Sequence, residues 1–141
     1  MINNKKYFFN RLQLVVFFSF LSSVNVSAQQ IEFEQKVTNM TGWKIMQDSR
    51  LGNCITCHTI NLSEKSVKEK QGNFAPPLSK IGAKYSSDQL RQWVTDARRI
   101  NPETLMPPYG SLSNINQPNI PKSILDSQQI NDVVEVLVML K

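Results

Sequence analysis

Apolar residues recur three and four positions apart in two stretches of this chain, and each stretch is preceded by a helix-start signature. Ser86 with Gln89 forms a capping box ahead of Leu90, Trp93, Val94 and Ala97. Asp126 with Gln129 does the same ahead of Ile130, Val133, Val134, Leu137 and Leu140. The first pattern predicts a helix that Pro102 ends, and the second predicts a terminal helix. The β-branched content of the second also allows a strand, but its cap and spacing favour helix. A weaker pattern over Thr41 to Arg50, with Trp43 and Met46 on one face and Gly52 beyond it, predicts a short helix. Between these elements, Thr59 to Gly72 is polar and rich in lysine (Lys65, Lys68, Lys70) and reads as a solvated loop. Ser111 to Pro121 reads as a second loop. No strand alternation and no internal repeat emerges.

The first 28 residues follow a different pattern. Lys5, Lys6 and Arg11 precede an apolar run from Leu12 to Leu21, and Val26-Ser27-Ala28 ends in a small residue. These are the marks of a cleaved secretory signal, with a retained N-terminal anchor as the alternative. The apolar run falls short of the roughly 20 residues that span a bilayer. Val133 to Leu140 is shorter still and is interrupted by Glu135. The expectation is a mature domain over 29–141, with no transmembrane segment, in a bacterial periplasm. Of 141 residues, 16 are basic and 11 acidic, a formal charge of +5. Loss of the signal's three basic residues leaves +2, too weak a field to argue for nucleic-acid binding. A domain of this size buries a modest core and gains from a staple or a cofactor.

The only cysteines and the only histidine lie together in Cys54-Ile55-Thr56-Cys57-His58. A disulfide between cysteines so close closes a tiny loop and stabilises little. A thioredoxin-type redox pair needs a βαβ setting that the pattern lacks. A zinc site lacks a further histidine or a third cysteine. The remaining reading is covalent attachment of a c-type haem, with each cysteine forming a thioether and His58 carried beneath the iron. With one histidine, bis-His ligation and a second such haem are excluded.

The sixth ligand is then sought among Met40, Met46, Met106 and Met139, any of which can be core filler. Met40 and Met46 precede the motif too closely, and Met139 lies in the terminal helix. Met106, in Asn101-Pro102-Glu103-Thr104-Leu105-Met106-Pro107-Pro108-Tyr109-Gly110, sits in a proline-stiffened loop 48 residues after His58. Met106 is therefore the candidate distal ligand, with loop packing, or a lysine or water ligand, as the alternative. Three to four helices around one haem, with the motif after the first and the methionine before the last, is the layout of the all-α class I cytochrome c fold. In that fold the first and last helices cross.

Leu51 to His58, the segment NFAPPLSKIGAKY over 73–85, and LRQWVTDARRINPETLMPPYG over 90–110 together resemble the SoxX family of sulfur-oxidation cytochromes c. The match runs from about Trp43 to Gly110, with the terminal helix alike in kind. The resemblance implies one covalent haem c on Cys54 and Cys57, with His58 and Met106 as axial ligands. By likeness to class I cytochromes, the Pro76 carbonyl would hold the His58 imidazole. Ala75 departs from the many relatives that carry glycine there. The family pairs with SoxA in a complex, an L-cysteine S-thiosulfotransferase, that couples thiosulfate oxidatively to a cysteine of the carrier SoxYZ. Catalysis belongs to SoxA, and the SoxX haem passes electrons to a small acceptor cytochrome.

A freestanding cytochrome c shuttle is the competing expectation. A peroxidase, from another class, would need an open iron site and a distal acid–base residue. Arg98 and Arg99 suit either haem propionates or a partner, or else a solvated helix end. Trp93 reads first as core, and Tyr109 as a haem-edge cover or simple packing.

Overall fold

The computed structural model describes residues 28–62, 70–111 and 123–141. Four α-helices account for most of the regular structure: α1 over 28–39, α2 over Thr41–Gln47, α3 over Ser87–Asp96 and α4 over Ser127–Met139. Short 3-10 turns lie at Cys54–Thr56, Ile81–Ala83 and Ala97–Arg99, and no strand occurs among the described residues. The chain divides into two compact units, Met1–Gln35 and Lys36–Lys141. In the first, the described residues continue one helical run, with Gln30 Nε2 donating to Glu34 Oε1 at 3.1 Å. The second holds the remaining elements. The expected signal over 1–28 lies outside the described residues except for Ala28. Among the described residues, no helix is long and apolar enough to cross a membrane.

Both capping boxes form in full. Ser86 Oγ accepts from the Gln89 amide at 3.3 Å, while Gln89 Oε1 accepts from the Ser86 amide at 2.9 Å. Asp126 Oδ1 accepts from the Gln129 amide at 2.8 Å, and Gln129 Oε1 takes the Asp126 amide at 2.9 Å. Each box satisfies two backbone donors that a helix start would otherwise leave open. Downstream of its cap, α4 buries Ile130, Val133, Val134, Val136 and Leu137, and Leu140 is buried just beyond it. Burial of such side chains contributes about 1.5–3 kcal/mol each, which outweighs the weak strand preference of the helix's four valines.

Helix α2 packs on α4 through a glycine. A Cβ at Gly42 would collide with the Asp132 carbonyl and lie 2.9 Å from the Val133 nitrogen. The two backbones meet closely there because no side chain intervenes. Trp43 and Met46 are both buried, as their spacing predicts, and Ile45 joins them. Helix α3 is tied to α4 by a hydrogen bond from Arg91 Nη1 to Asn131 Oδ1.

Several boundaries differ from the pattern reading. The helix over 28–39 carries no clean apolar stripe, and the pattern does not reveal it. Helix α2 ends at Gln47 rather than Arg50, because Asp48 accepts the Arg50 amide at 2.8 Å and its guanidinium at 3.0 and 3.2 Å, turning the chain. Helix α3 ends at Asp96, well before Pro102. There the backbone becomes extended, and the buried carboxylate receives Arg98 Nε and Nη2 at 2.8 and 2.9 Å. Arg98 is thus engaged with its own chain, whereas Arg99 is exposed. The stretch 59–72 is not wholly a solvated loop. Ile60 and Leu62 are buried, and Gln71 bonds both the amide and the carbonyl of Ile60. Lys65 and Lys68, and nearly all of the second expected loop, lie outside the described residues.

Replacing Gly42 with Ala should destabilise the protein by about 1–3 kcal/mol, because the crossing must open. Ser86→Ala should cost about 1 kcal/mol through the lost cap. Thermal unfolding of the two variants reads both effects, and an unaltered midpoint for Gly42→Ala would show that α2 and α4 do not depend on that close approach.

Candidate functional site

The turn bearing the cysteines begins at a residue with unusual backbone geometry. Asn53 has φ 46° and ψ 31°, the left-handed region, and is the only non-glycine with positive φ among the described residues. Asparagine enters this region more readily than other chiral residues. Its carbonyl accepts the Thr56 amide at 3.2 Å, and its side-chain oxygen accepts the Thr56 hydroxyl at 2.5 Å. The chain then coils tightly: the Cys57 and His58 amides both donate to the Cys54 carbonyl, at 3.2 and 3.0 Å. Cys54, Cys57 and His58 consequently line one cavity, while Ile55 is buried.

A second segment is laid against this turn. The amides of Gly72, Ala75 and Leu78 donate to the carbonyls of Ile55, Cys57 and Thr59 at 2.8–2.9 Å. The approach is close enough that a Cβ at Gly72 would overlap the Thr56 carbonyl. Ala75 fits without positive φ, so alanine in place of glycine leaves this geometry unstrained. The register brings the Pro76 carbonyl oxygen to 2.7 Å from His58 Nδ1. A carbonyl can only accept, so Nδ1 carries the proton, and the Nε2 lone pair is left to serve as a ligand.

Met106 comes from a third segment and lines the same cavity. Its loop is knit by local bonds: Asn101 Oδ1 accepts the Glu103 amide at 3.1 Å, the Asn101 carbonyl accepts the Thr104 amide at 3.1 Å, and Thr104 Oγ1 accepts the Met106 amide at 3.2 Å. Downstream, the Gly110 amide donates to the Thr95 carbonyl and the Tyr109 carbonyl accepts from Leu125, anchoring the loop's far end.

The cavity measures about 530 Å³, within the range that encloses a sizeable small-molecule ligand. Leu90, Trp93 and Val94 of α3, Val133 and Leu137 of α4, and Met46 of α2 form much of its wall. Met46 is fully buried, so its role is packing from the inner side. Trp93 is half-buried and faces the cavity, a lining residue as much as a core one. Tyr109 is buried at the wall as well. Burial raises its hydroxyl pKa well above the ordinary value of 10.0, with the two nearby thiols adding to the effect. Burial likewise pushes the free Cys54 thiol up to about 12. A redox Cys-x-x-Cys pair needs a lowered thiol pKa, so this environment argues against that use. Among the described residues, no Asp, Glu, Lys or Arg lines the cavity, and no three His, Cys, Asp or Glu side chains gather as a metal cluster. The donor set therefore fits a haem: two thioether-forming cysteines, one oriented imidazole and one thioether sulfur around an apolar chamber.

Cys54, Cys57, His58 and Met106, singled out by the motif and the proline-stiffened loop, and Pro76, implied by the likeness to class I cytochromes, all line this cavity. The pattern reading passes over Asn53 and Thr104, although an asparagine directly before a tight turn, and a hydroxyl two residues before a candidate ligand, are visible signals.

The family model for cytochrome c matches residues 40–141. The chain belongs to the cytochrome c family. Among solved structures, a chain of the SoxXA crystal structure from P. pantotrophus is 34% identical, with a TM-score of 0.65, and the match covers 71% of this chain and 79% of that one. No curated protein sequence matches. The protein is thus a SoxX-type cytochrome with the all-α class I fold, and it carries a covalently bound haem c, its Cys54 and Cys57 fitting the attachment motif.

The strain at Asn53 gives a prediction specific to this cytochrome. Asn53→Val should lower holoprotein stability by about 1–2 kcal/mol, since a β-branched residue resists the left-handed region. Asn53→Gly should be milder, losing only the Thr56 side-chain bond. Thermal unfolding distinguishes them, and equal losses would locate the effect in the hydrogen bond rather than the backbone.

Proposed function

We propose that this SoxX-type cytochrome is exported to the periplasm by residues 1–28 and works as the electron-transfer subunit of a SoxAX-type complex. In that complex, thiosulfate joins a cysteine of a SoxYZ-type carrier through a new sulfur–sulfur bond, releasing the thiol proton and two electrons. The carrier and the thiosulfate act on a SoxA-type partner, and this chain relays the electrons to a small acceptor cytochrome. The observation that carries the reading is the 34% identity to a chain of SoxXA over 71% of the sequence.

The chain's residues suit that task. Cys54 and Cys57 would hold the haem covalently, and His58 Nε2 and Met106 Sδ would hold its iron. Haem bound there supplies one-electron chemistry at iron. The Pro76 carbonyl, 2.7 Å from His58 Nδ1, fixes the imidazole's orientation and raises its basicity. A methionine ligand favours the reduced state relative to a second histidine. Among the described residues, the largely apolar walls supply no carboxylate or amine to act as acid or base. They favour a carrier over a peroxidase.

Met106→Ala should abolish the sulfur-to-iron absorption band of the oxidised protein, lower its reduction potential and let carbon monoxide bind the reduced form. An unchanged band would assign the ligand elsewhere. A tagged chain purified from its own host should bring down a second c-type cytochrome, and it should become reduced only when thiosulfate and the carrier are both present. A protein that emerges alone, and is reduced without the carrier, would be a freestanding shuttle.

A further inference from the structure

The segment that presents Met106 has an unusual supply of backbone donors. Pro107 and Pro108 follow the methionine and have no amide hydrogen, so neither can donate a backbone hydrogen bond. Pro107 also restricts Met106 itself to extended backbone. The downstream anchors lie at Tyr109 and Gly110, whereas the amide nearest the sulfur, that of Met106 itself, is held from the N-terminal side.

On that side a continuous series of hydrogen bonds leads back to α3. The Asn101 amide donates to the Ala97 carbonyl at 2.9 Å, in the 3-10 turn that extends the helix. The Asn101 carbonyl and side chain take the Thr104 and Glu103 amides. Thr104 Oγ1 then accepts the amide of Met106 at 3.2 Å. Thr104 and Asn101 both line the cavity, and Thr104 is half-buried. Leu105, between Thr104 and Met106, also reaches the cavity rim but is 79% exposed, so burial holds it only weakly.

We propose that Thr104 is a positioning residue for the distal ligand, its hydroxyl oxygen holding the Met106 amide so that the sulfur stays directed into the cavity. The inference rests on the reading of Met106 as that ligand. The hydroxyl acts through the Met106 backbone. It limits how often the Met106 backbone swings away and leaves the site open to a competing ligand. Loss of one such bond changes an equilibrium by roughly 3- to 10-fold.

The test uses the mature holoprotein and imidazole as the competing ligand, followed spectroscopically on the oxidised form. Thr104→Val keeps the branched shape and removes the acceptor, and it should bind imidazole about 3- to 10-fold more tightly than the unaltered protein. Thr104→Ser keeps the hydroxyl and should restore the original affinity, even where its thermal midpoint falls for want of the methyl group. Should the valine variant fail to accumulate, Thr104→Ala takes its place in the comparison. Valine and alanine variants with unaltered imidazole affinity would overturn the proposal, as would a serine variant that behaves like them. Met106→Ala, measured alongside, separates the two readings. If it loses the sulfur-to-iron band while Thr104→Val changes nothing, only the positioning role fails; if it keeps the band, the ligand assignment fails and the positioning role falls with it.

Discussion

Three backbone hydrogen bonds, from the amides of Gly72, Ala75 and Leu78 to the carbonyls of Ile55, Cys57 and Thr59, set the register on which the haem site depends. They align the residues after the motif with the motif itself. A shift of one residue would carry the Pro76 carbonyl away from His58 Nδ1 and free the imidazole to rotate. The glycine at 72 permits the approach, since any side chain there would strike the Thr56 carbonyl. Backbone pairing without a strand thus does what a sheet edge does elsewhere: it fixes the register of one loop against another.

The helices serve that arrangement by closing the chamber. Helices α2 and α4 meet at Gly42, and α3 is tied to α4 by the Arg91–Asn131 bond. All three send side chains to a common cavity. The walls are made of residues that a larger domain would bury against one another. Here they face the space that the cofactor would fill, so bound haem would complete the core. A small domain gains from such coupling because its own apolar surface is limited.

Much of this was legible in the sequence, for reasons that can be traced to particular residues. The Cys54–His58 motif has a fixed meaning because attachment chemistry tolerates little variation in spacing. Ser86 and Asp126 marked their helices because capping is local, and both boxes form as read. Where the reading slipped, a tertiary or side-chain interaction had taken over. Asp48 turns the chain by capturing Arg50, and Asp96 ends α3 early around Arg98. Ile60 and Leu62 are buried within a stretch whose lysines suggested solvent. Asn53 and Thr104 were passed over for another reason: their roles lie in a backbone angle and a two-residue contact, which leave a local residue signal but no periodic trace.

The absence of charged side chains from the walls of the cavity, among the described residues, has an electrostatic consequence. Hydrocarbon and aromatic surfaces carry few dipoles that must reorient when the charge they enclose changes by one unit. The surroundings are nearly the same before and after such a change, and little reorganisation opposes it. A chamber built in this way lets charge pass in either direction with a low intrinsic barrier, leaving the direction to be set by whatever lies on each side.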